Sequence, residues 1–524
     1  MRGDLKWGTI PNLVRSASDQ FGSAEALVDG GQRLSFAELS TAVDGAAAAA
    51  IAGGLNPGDR AAIWAPNVSE WILAALGVLA AGGVVVPINT RFKGEEAAFV
   101  LNASKAKFLF TIAGFLGTDY PAMLEGIDLP YLERTVVFKD GSWDDFLALG
   151  AASSSAWAEI DKRIDALKPD DVSDLIFTSG TTGRPKGVIS THGQTLRVFE
   201  QWASIVGLAE GDRYLIVNPF FHTFGFKAGF LACLIKGATI VPHPVFDVPT
   251  VLARIAEERI SMLPGPPALY QSILDHPERD SFDLSSLRLC VTGAAPVPVE
   301  MIERLREELT FKTIVTAYGL TETTGVVSIC RDGDDAETIS TTSGCAIPDT
   351  EVRIVDEKNN ELPRGEPGEI VVRGYNVMTG YFENPEATRD AIDADGWLHT
   401  GDIGTMNDRG YIRITDRLKD MFIVGGFNAY PAEIENTLLG HDQVAQAAVV
   451  GVPNERMGEV GVAFVVPRPG PWPTPDELHT WSREHMANYK VPRRFFVVDA
   501  LPMNASNKVL KHELRARAAA TTED

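Results

Sequence analysis

Apolar residues fall in short runs along most of the chain, separated by glycine, proline and polar residues. Ala61-Ala62-Ile63-Trp64-Ala65-Pro66 reads as a strand stopped by proline, Ser69 to Ala81 as an apolar helix, and Val84 to Ile88 as a β-branched strand. The Ala46 to Ala52 run favours helix rather than disorder. Further on, buried strands are expected near Tyr214 to Asn218, Thr239 to Pro242 and Arg288 to Thr292. Helices alternating with such strands predict an α/β sheet.

The pattern changes from Glu351 to Asp416. Short alternating strands (Glu351 to Val355, Glu369 to Arg373, Tyr411 to Thr415) are divided by Gly, Pro, Asn and Asp, which predicts a small antiparallel or distorted-barrel region. After Asp416 a compact unit is expected. It holds helix Pro431 to Leu439, strands Ala445 to Val452 and Gly461 to Pro467, helix Pro475 to Met486, and strand Phe495 to Val498. Thr474 as N-cap, Pro475 at the first helical position and Glu477 three residues after the cap mark the start of its second helix. The expected division is a large N-terminal domain, 1–418, with α/β subdomains and a barrel-like region at about 346–418, and a small C-terminal α/β (α+β) domain, 419–524.

A length of 524 residues supports this division, because one core stops growing at roughly 250–300 residues. The net charge is −23, from 47 basic and 70 acidic residues, which excludes a global basic footprint for nucleic acid. Cys233, Cys290, Cys330 and Cys345 are far apart and suggest no disulfide framework, and the start of the chain is polar, so a reducing cytoplasm is expected. The longest apolar region, Trp71 to Ile88, contains Gly77, Gly82, Gly83 and Pro87 and suits a buried helix turning into a strand better than a membrane span. The nine histidines show no transition-metal spacing. Oligomeric state is not legible, and a homo-oligomer stays open.

Candidate chemistry centres on Thr178-Ser179-Gly180-Thr181-Thr182-Gly183-Arg184-Pro185-Lys186-Gly187, which follows the apolar Leu175-Ile176-Phe177. Glycines let backbone N–H groups approach an anion, hydroxyls donate further bonds, and a lysine adds a point charge. A Ser/Thr/Gly cluster can also be a flexible linker. Here Pro185 would stiffen the turn, and the apolar residues on both sides place it inside a packed domain. The usual G-x-x-x-x-G-K-[ST] loop does not fit, because Gly187 follows Lys186.

The order of this loop resembles the phosphate loop of the adenylate-forming acyl-CoA synthetase superfamily, [ST]-[ST]-G-[ST]-T-G-x-P-K-G. Other segments resemble that family in the same chain order. Thr316-Ala317-Tyr318-Gly319-Leu320-Thr321-Glu322 is similar to its adenine and metal motif, and Gly293-Ala294-Ala295-Pro296 to the other side of the adenine slot. The resemblance implies Tyr318 against adenine, Thr321 at the α-phosphate, Glu322 with Thr178 on Mg²⁺, and Lys186 on the phosphates. It further implies Asp402 and Arg417 on the ribose, Lys419 as the hinge of a mobile C-terminal domain, and Gly425-Gly426 lining a pantetheine tunnel. Lys508 is implied as the adenylation lysine, though Asn507 stands where the family usually has glycine. Asn tolerates a left-handed backbone better than other residues with side chains.

Phe220-Phe221-His222-Thr223-Phe224-Gly225-Phe226-Lys227 resembles the aromatic gate between the ATP and acyl pockets, with His222, Phe226 and Lys227 facing the acid. Without the resemblance, His222 reads as a packed core histidine. Lys227 either snorkels to solvent or meets a carbonyl or second carboxylate of the substrate. The implied reaction joins ATP, a carboxylic acid and CoA into acyl-CoA, AMP and pyrophosphate through an acyl-adenylate, with Mg²⁺. No nucleic acid and no integral membrane segment takes part. The gate and Asn507 look similar to bacterial ligases that activate steroid-derived indane-dione propanoates. Fatty acids, aryl acids, or loading of a carrier protein are the alternatives. A luciferase-like oxygenase and a non-catalytic nucleotide-binding module are the more distant ones.

Overall fold

The computed structural model describes residues 2–178, 185–293, 297–417, 420–424, 427–454, 457–486, 488–504 and 508–520. Contacts divide the chain into two compact units, Met1–Val352 with Val372–Leu398, and Arg353–Val371 with His399–Asp524.

In the first unit, the β-branched and apolar runs build a six-stranded sheet in the order Arg134–Phe138, Ala106–Ile112, Arg60–Trp64, Val84–Pro87, Val172–Thr178, Lys186–Thr191. Only the last pairing is antiparallel. A second sheet runs Gln32–Ser35, Glu25–Asp29, Thr239–Pro242, Arg213–Ile216, and a third begins with the parallel pair Leu289–Thr292 and Thr313–Tyr318. Met262 bridges Tyr214 on one side and Leu289 on the other, so these two sheets continue into one another. The apolar stretch after residue 69 becomes the buried helix Ser69–Ala80 and the strand Val84–Pro87. No helix among the described residues is long and apolar enough to cross a membrane.

The alanine run has a packing role beyond helix propensity. In helix Phe36–Ala52, Ala46 to Ala50 are buried, and the helix at Ser69–Ala80 meets them through Gly77. A Cβ at Gly77 would lie 2.6 Å from the Ala46 Cβ and 3.0 Å from the Ala47 nitrogen, well inside van der Waals contact. Gly77→Leu must therefore push two helices apart. Its expected cost is about 1–3 kcal/mol, read as a lowered midpoint of unfolding against Gly77→Ala and the parent.

The second unit carries a sheet in the order Phe427–Ala429, Phe422–Val424, Gly458–Pro467, Val444–Asn454, with Arg494–Val497 parallel to Gly458–Pro467. Alternate residues of its long strands face opposite sides. Val449, Ala463 and Val465 pack with Leu438 and Leu478 of the helices Pro431–Leu439 and Pro475–His485. Val450, Val462 and Phe464 pack on the other side with Leu514 and Ala518 of helix Lys511–Ala520. The expected capping box is present: Thr474 N donates to Glu477 Oε2 at 2.8 Å, and Glu477 N donates to Thr474 Oγ1 at 3.3 Å.

Strands Thr350–Val355, Gly368–Gly374, Leu398–Met406 and Ile412–Arg417 lie in that order in a curled four-stranded sheet, and the division between the units cuts the chain within this region. Its third strand carries Asp402, and the strand pattern expected from sequence does not include it. Gly401 and Gly404 break the apolar alternation there, and a register shift between Ile403 and Gly404 keeps the strand paired.

Candidate active site

The strand Val172–Thr178 is held on both sides, with Asp174 opposite Val85 in one neighbour and Ser190 in the other. Its antiparallel partner places Lys186 opposite Thr178, so the two residues that bracket the phosphate loop stand side by side. The loop residues Ser179, Gly180, Thr181, Thr182 and Gly183 lie outside the described residues.

Three side chains converge on this end of the strand. Thr178 Oγ1 donates to Glu322 Oε1 at 3.3 Å, and the Tyr381 hydroxyl donates to the same oxygen at 3.0 Å. Lys186 Nζ sits 5.0 Å from the centroid of the Tyr381 ring. Backbone bonds fix the arrangement: Met378 N to Glu322 O (2.8 Å), Ile189 N to Gly380 O (3.0 Å) and Phe382 N to Gly187 O (2.8 Å). Burial, then the adjacent carboxylate, pushes the Tyr381 phenol above its usual range, so it stays a donor. A carboxylate and a threonine hydroxyl side by side are hard oxygen donors of the kind Mg²⁺ accepts alongside phosphate and water, so the residues fit that ion.

Tyr381 was not among the residues singled out from sequence. Its signal was the Gly380-Tyr381-Phe382 aromatic turn, but its partner lies 59 residues away in sequence. Tyr381→Phe deletes one hydrogen bond that orients a charged group, worth about 1.5–3 kcal/mol, so adenylate formation should fall about tenfold to a hundredfold. Pyrophosphate release measured with and without the substitution checks this.

The adenine-motif residues come from two neighbouring strand ends. Thr292 pairs with Thr316 in parallel register, and a Cβ on Gly293 would lie 3.2 Å from the Ala317 carbonyl oxygen, which sets Gly293 beside Ala317 and Tyr318. The carboxyl ends of parallel strands are where such sheets bind ligands. Ala294, Ala295 and Pro296 lie outside the described residues. Thr316, carried as a nucleotide contact, uses its buried hydroxyl elsewhere, donating to Thr342 O at 2.9 Å and Ile339 O at 3.2 Å. Thr321 and Glu322 form a short 3₁₀ turn, closed by Thr323 Oγ1, which accepts from Leu320 N at 3.0 Å.

The gate segment folds against that turn. Gly325 leaves no room for a Cβ against Thr223, and Phe199 is the next neighbour. His222 is exposed rather than packed in the core. Its Nδ1 caps the turn Thr223–Gly225 by accepting from Phe224 N at 3.2 Å, so a neutral ring carries its proton on Nε2. Phe224 is half-buried and meets Trp202 edge-on at 6.1 Å.

Two expectations are corrected here. Phe226 does not stand at an open pocket: it is fully buried, stacked on Phe230 at 5.2 Å and edge-on to Trp71 at 5.5 Å. Lys227 neither snorkels to solvent nor reaches for substrate. It is 0% exposed, and its Nζ lies 2.9 Å from Asp174 Oδ1 at an angle that falls short of a hydrogen bond. The physical reason is the helical turn beginning at Phe226, which directs both side chains into the sheet core. Burial lowers the Lys227 ammonium below the usual lysine range, and the Asp174 carboxylate opposes that shift.

In the second unit, the paired strands set Asp402 directly opposite Arg417. Asp402 is buried, and its N–H donates to Thr400 Oγ1 at 3.1 Å. Lys508 is exposed; its N–H donates to Asn504 Oδ1 at 2.9 Å, and Asn504 N donates to Lys508 O at 2.8 Å. Lys419, Gly425, Gly426 and Asn507 lie outside the described residues, as does the side chain of Arg417.

Paired strand ends that bring a threonine hydroxyl, a lysine and a carboxylate together on either side of a glycine-rich sequence fit a nucleotide-activating, adenylate-forming enzyme. Residues 14–382 match the AMP-binding enzyme family and residues 433–508 match the AMP-binding enzyme C-terminal domain. The chain belongs to the AMP-binding enzyme family. It is 51% identical over 520 residues to "3-[(3aS,4S,7aS)-7a-methyl-1,5-dioxo-octahydro-1H-inden-4-yl]propanoyl:CoA ligase" of Rhodococcus jostii, covering 97% of this chain and 98% of that protein. It is 50% identical to the ligase of the same name from Mycobacterium tuberculosis, covering 98% and 99%. The ATP-bound crystal structure of MatB from Rhodopseudomonas palustris superimposes with a TM-score of 0.86 at 29% identity, covering 97% of this chain and 98% of that one. The protein is an ATP-dependent, AMP-forming acyl-CoA ligase that works through an acyl-adenylate. Enzymes of this family use ATP with Mg²⁺, and CoA.

Proposed function

We propose that this ligase activates the propanoate side chain of a bicyclic indane-dione acid derived from a steroid C/D-ring system. The observation that carries this reading is the 51% and 50% identity, over nearly the whole chain, to two ligases named for that acid.

The residue roles follow from the chemistry. A carboxylate is a poor acyl donor, because oxide does not leave. Attack of the acid oxygen on the α-phosphorus of ATP forms the mixed anhydride and expels pyrophosphate. Two anions must meet in that step, so neutralising charge supplies much of the rate. Thr178 and Glu322 would hold the magnesium ion, which supplies Lewis-acid neutralisation of the phosphates when bound. Lys186 holds the outer phosphates at the loop, Thr321 the α-phosphate, and Tyr318 with Gly293 and Ala317 the adenine. Asp402 and Arg417, opposite one another across two strands, take the ribose hydroxyls. Lys508 bridges the acid and the α-phosphate as they react. His222, exposed and one residue before the Thr223 that packs on Gly325, stands between nucleotide and acid in this reading. In the second step the CoA thiolate attacks the acyl carbon and AMP leaves. Residues 419–524 turn about Lys419 between the two steps, and Gly425 and Gly426 line the path of the pantetheine arm. The reading places the enzyme in the cytoplasm, where ATP and CoA are supplied and where the widely spaced Cys233, Cys290, Cys330 and Cys345 would stay reduced.

The test is pyrophosphate release across the indane-dione propanoate, octanoate and ferulate, with and without CoA. A site that hydrogen-bonds ring ketones rejects acids lacking them, so kcat/KM for the dione acid should lead by about a hundredfold or more. Equal or higher values with octanoate or ferulate overturn the assignment.

A further inference from the structure

The Lys227–Asp174 pair has no role in the chemistry described so far, and its placement asks for one. Both residues are 0% exposed, and the charged atoms are 2.9 Å apart. Apolar residues of similar volume commonly serve stability as well as a buried ion pair does, so stability alone explains such a pair poorly.

Its geometry suggests the function. Asp174 lies on the strand that ends at Thr178, four residues earlier and therefore on the same face. That strand is flanked on both sides at Asp174, by Val85 and by Ser190, and Ser173 Oγ donates to Asp174 Oδ2 at 2.7 Å. The carboxylate is thus anchored. Lys227 lies five residues after His222, in the first turn of the π-helical segment Phe226–Leu231. π-Helical turns often mark functional sites. The segment departs from helical geometry at Gly229, whose φ and ψ are −86° and −107°. The ion pair joins this segment directly to the strand that ends at Thr178.

We propose that Lys227 and Asp174 are positioning residues for adenylation, locking the gate that carries His222 in register with the strand that delivers Thr178 to Glu322. A shift of the gate then moves the acid relative to the α-phosphate without removing any group that touches either. The proposal rests on the functional reading above for the identity of the gate and the loop.

The test compares Lys227→Met, Asp174→Leu and the double variant K227M/D174L in the full-length enzyme, with the acid that the parent uses best. Each single variant leaves a buried charge unpaired and should melt well below the parent. The double variant should melt within a few degrees of the parent, yet adenylate formation should stay at least about tenfold down in kcat. CoA transfer from supplied acyl-adenylate should stay near the parent rate. A double variant that recovers both melting temperature and adenylation makes the pair merely structural and overturns the proposal. Equal loss in both half-reactions overturns it too. If the double variant does not fold, Lys227→Gln with Asp174→Asn, a neutral hydrogen-bonding pair, is read by the same criteria. A parent that forms AMP with every acid except the dione overturns the substrate assignment alone and leaves this comparison intact.

Discussion

Lys508→Ala is expected to lower acyl-adenylate formation by about two to three orders of magnitude while leaving CoA transfer from supplied acyl-adenylate close to the parent rate. The magnitude is that of removing one preorganised donor from a developing oxyanion. Two features make the experiment clean. The Lys508 side chain is exposed, so no core packing is lost. The bonds between Asn504 and Lys508 and the bridge from Met503 to Val509 run through main-chain atoms and the Asn504 side chain. Unfolding should therefore be unchanged. The split between half-reactions is the decisive readout, because pyrophosphate departs only in the first. A variant equally slow in both steps would show that Lys508 serves the fold or the CoA step, and its assigned role would be lost.

Local sequence was a good guide where the physics is local. The helix at Pro475–His485 is announced by Thr474, Pro475 and Glu477 because all the capping atoms lie within one turn. The strand Val84–Pro87 is announced by three successive valines. Non-local physics was invisible. Lys227 looked like a side chain with a free end because its partner Asp174 lies 53 positions earlier and is joined to it only by folding. Tyr381 carried no obvious chemistry because its meaning comes from a bridge to Val188 and a bond to Glu322. The alanine run at Ala46 to Ala50 read as propensity, while its constraint is the bare backbone of Gly77 across the helix interface. Motif order paired two residues that the fold sets side by side: Thr178 and Glu322 are 144 positions apart and within hydrogen-bond distance. It misjudged the direction of the Phe226 and Lys227 side chains, which are buried. Periodicity is hard to read in Phe224-Gly225-Phe226-Lys227, where a short capped turn passes into a π-helical one.

Glu322→Gln should cost adenylate formation about a hundredfold and shift its magnesium dependence to higher concentration. The substitution is nearly isosteric. A glutamine carbonyl still accepts from the Tyr381 hydroxyl and the Thr178 hydroxyl, which now meet the carboxylate at 3.0 and 3.3 Å, so the turn and its neighbours keep their places. What disappears is the negative charge. A neutral amide oxygen is a weaker donor to a small, strongly hydrated divalent cation, so part of the lost rate should return at raised Mg²⁺. Tyr381→Phe gives the contrast, since it leaves the charge and removes only a bond that orients it. Its rate should fall with a magnesium midpoint closer to that of the parent. The measurement is pyrophosphate release titrated with Mg²⁺ at saturating ATP, beside an unfolding curve for each variant. A Glu322→Gln enzyme with the parent's magnesium midpoint would mean that the ion is held by the phosphates alone, and the role of Glu322 would reduce to fixing Tyr381 and Thr178.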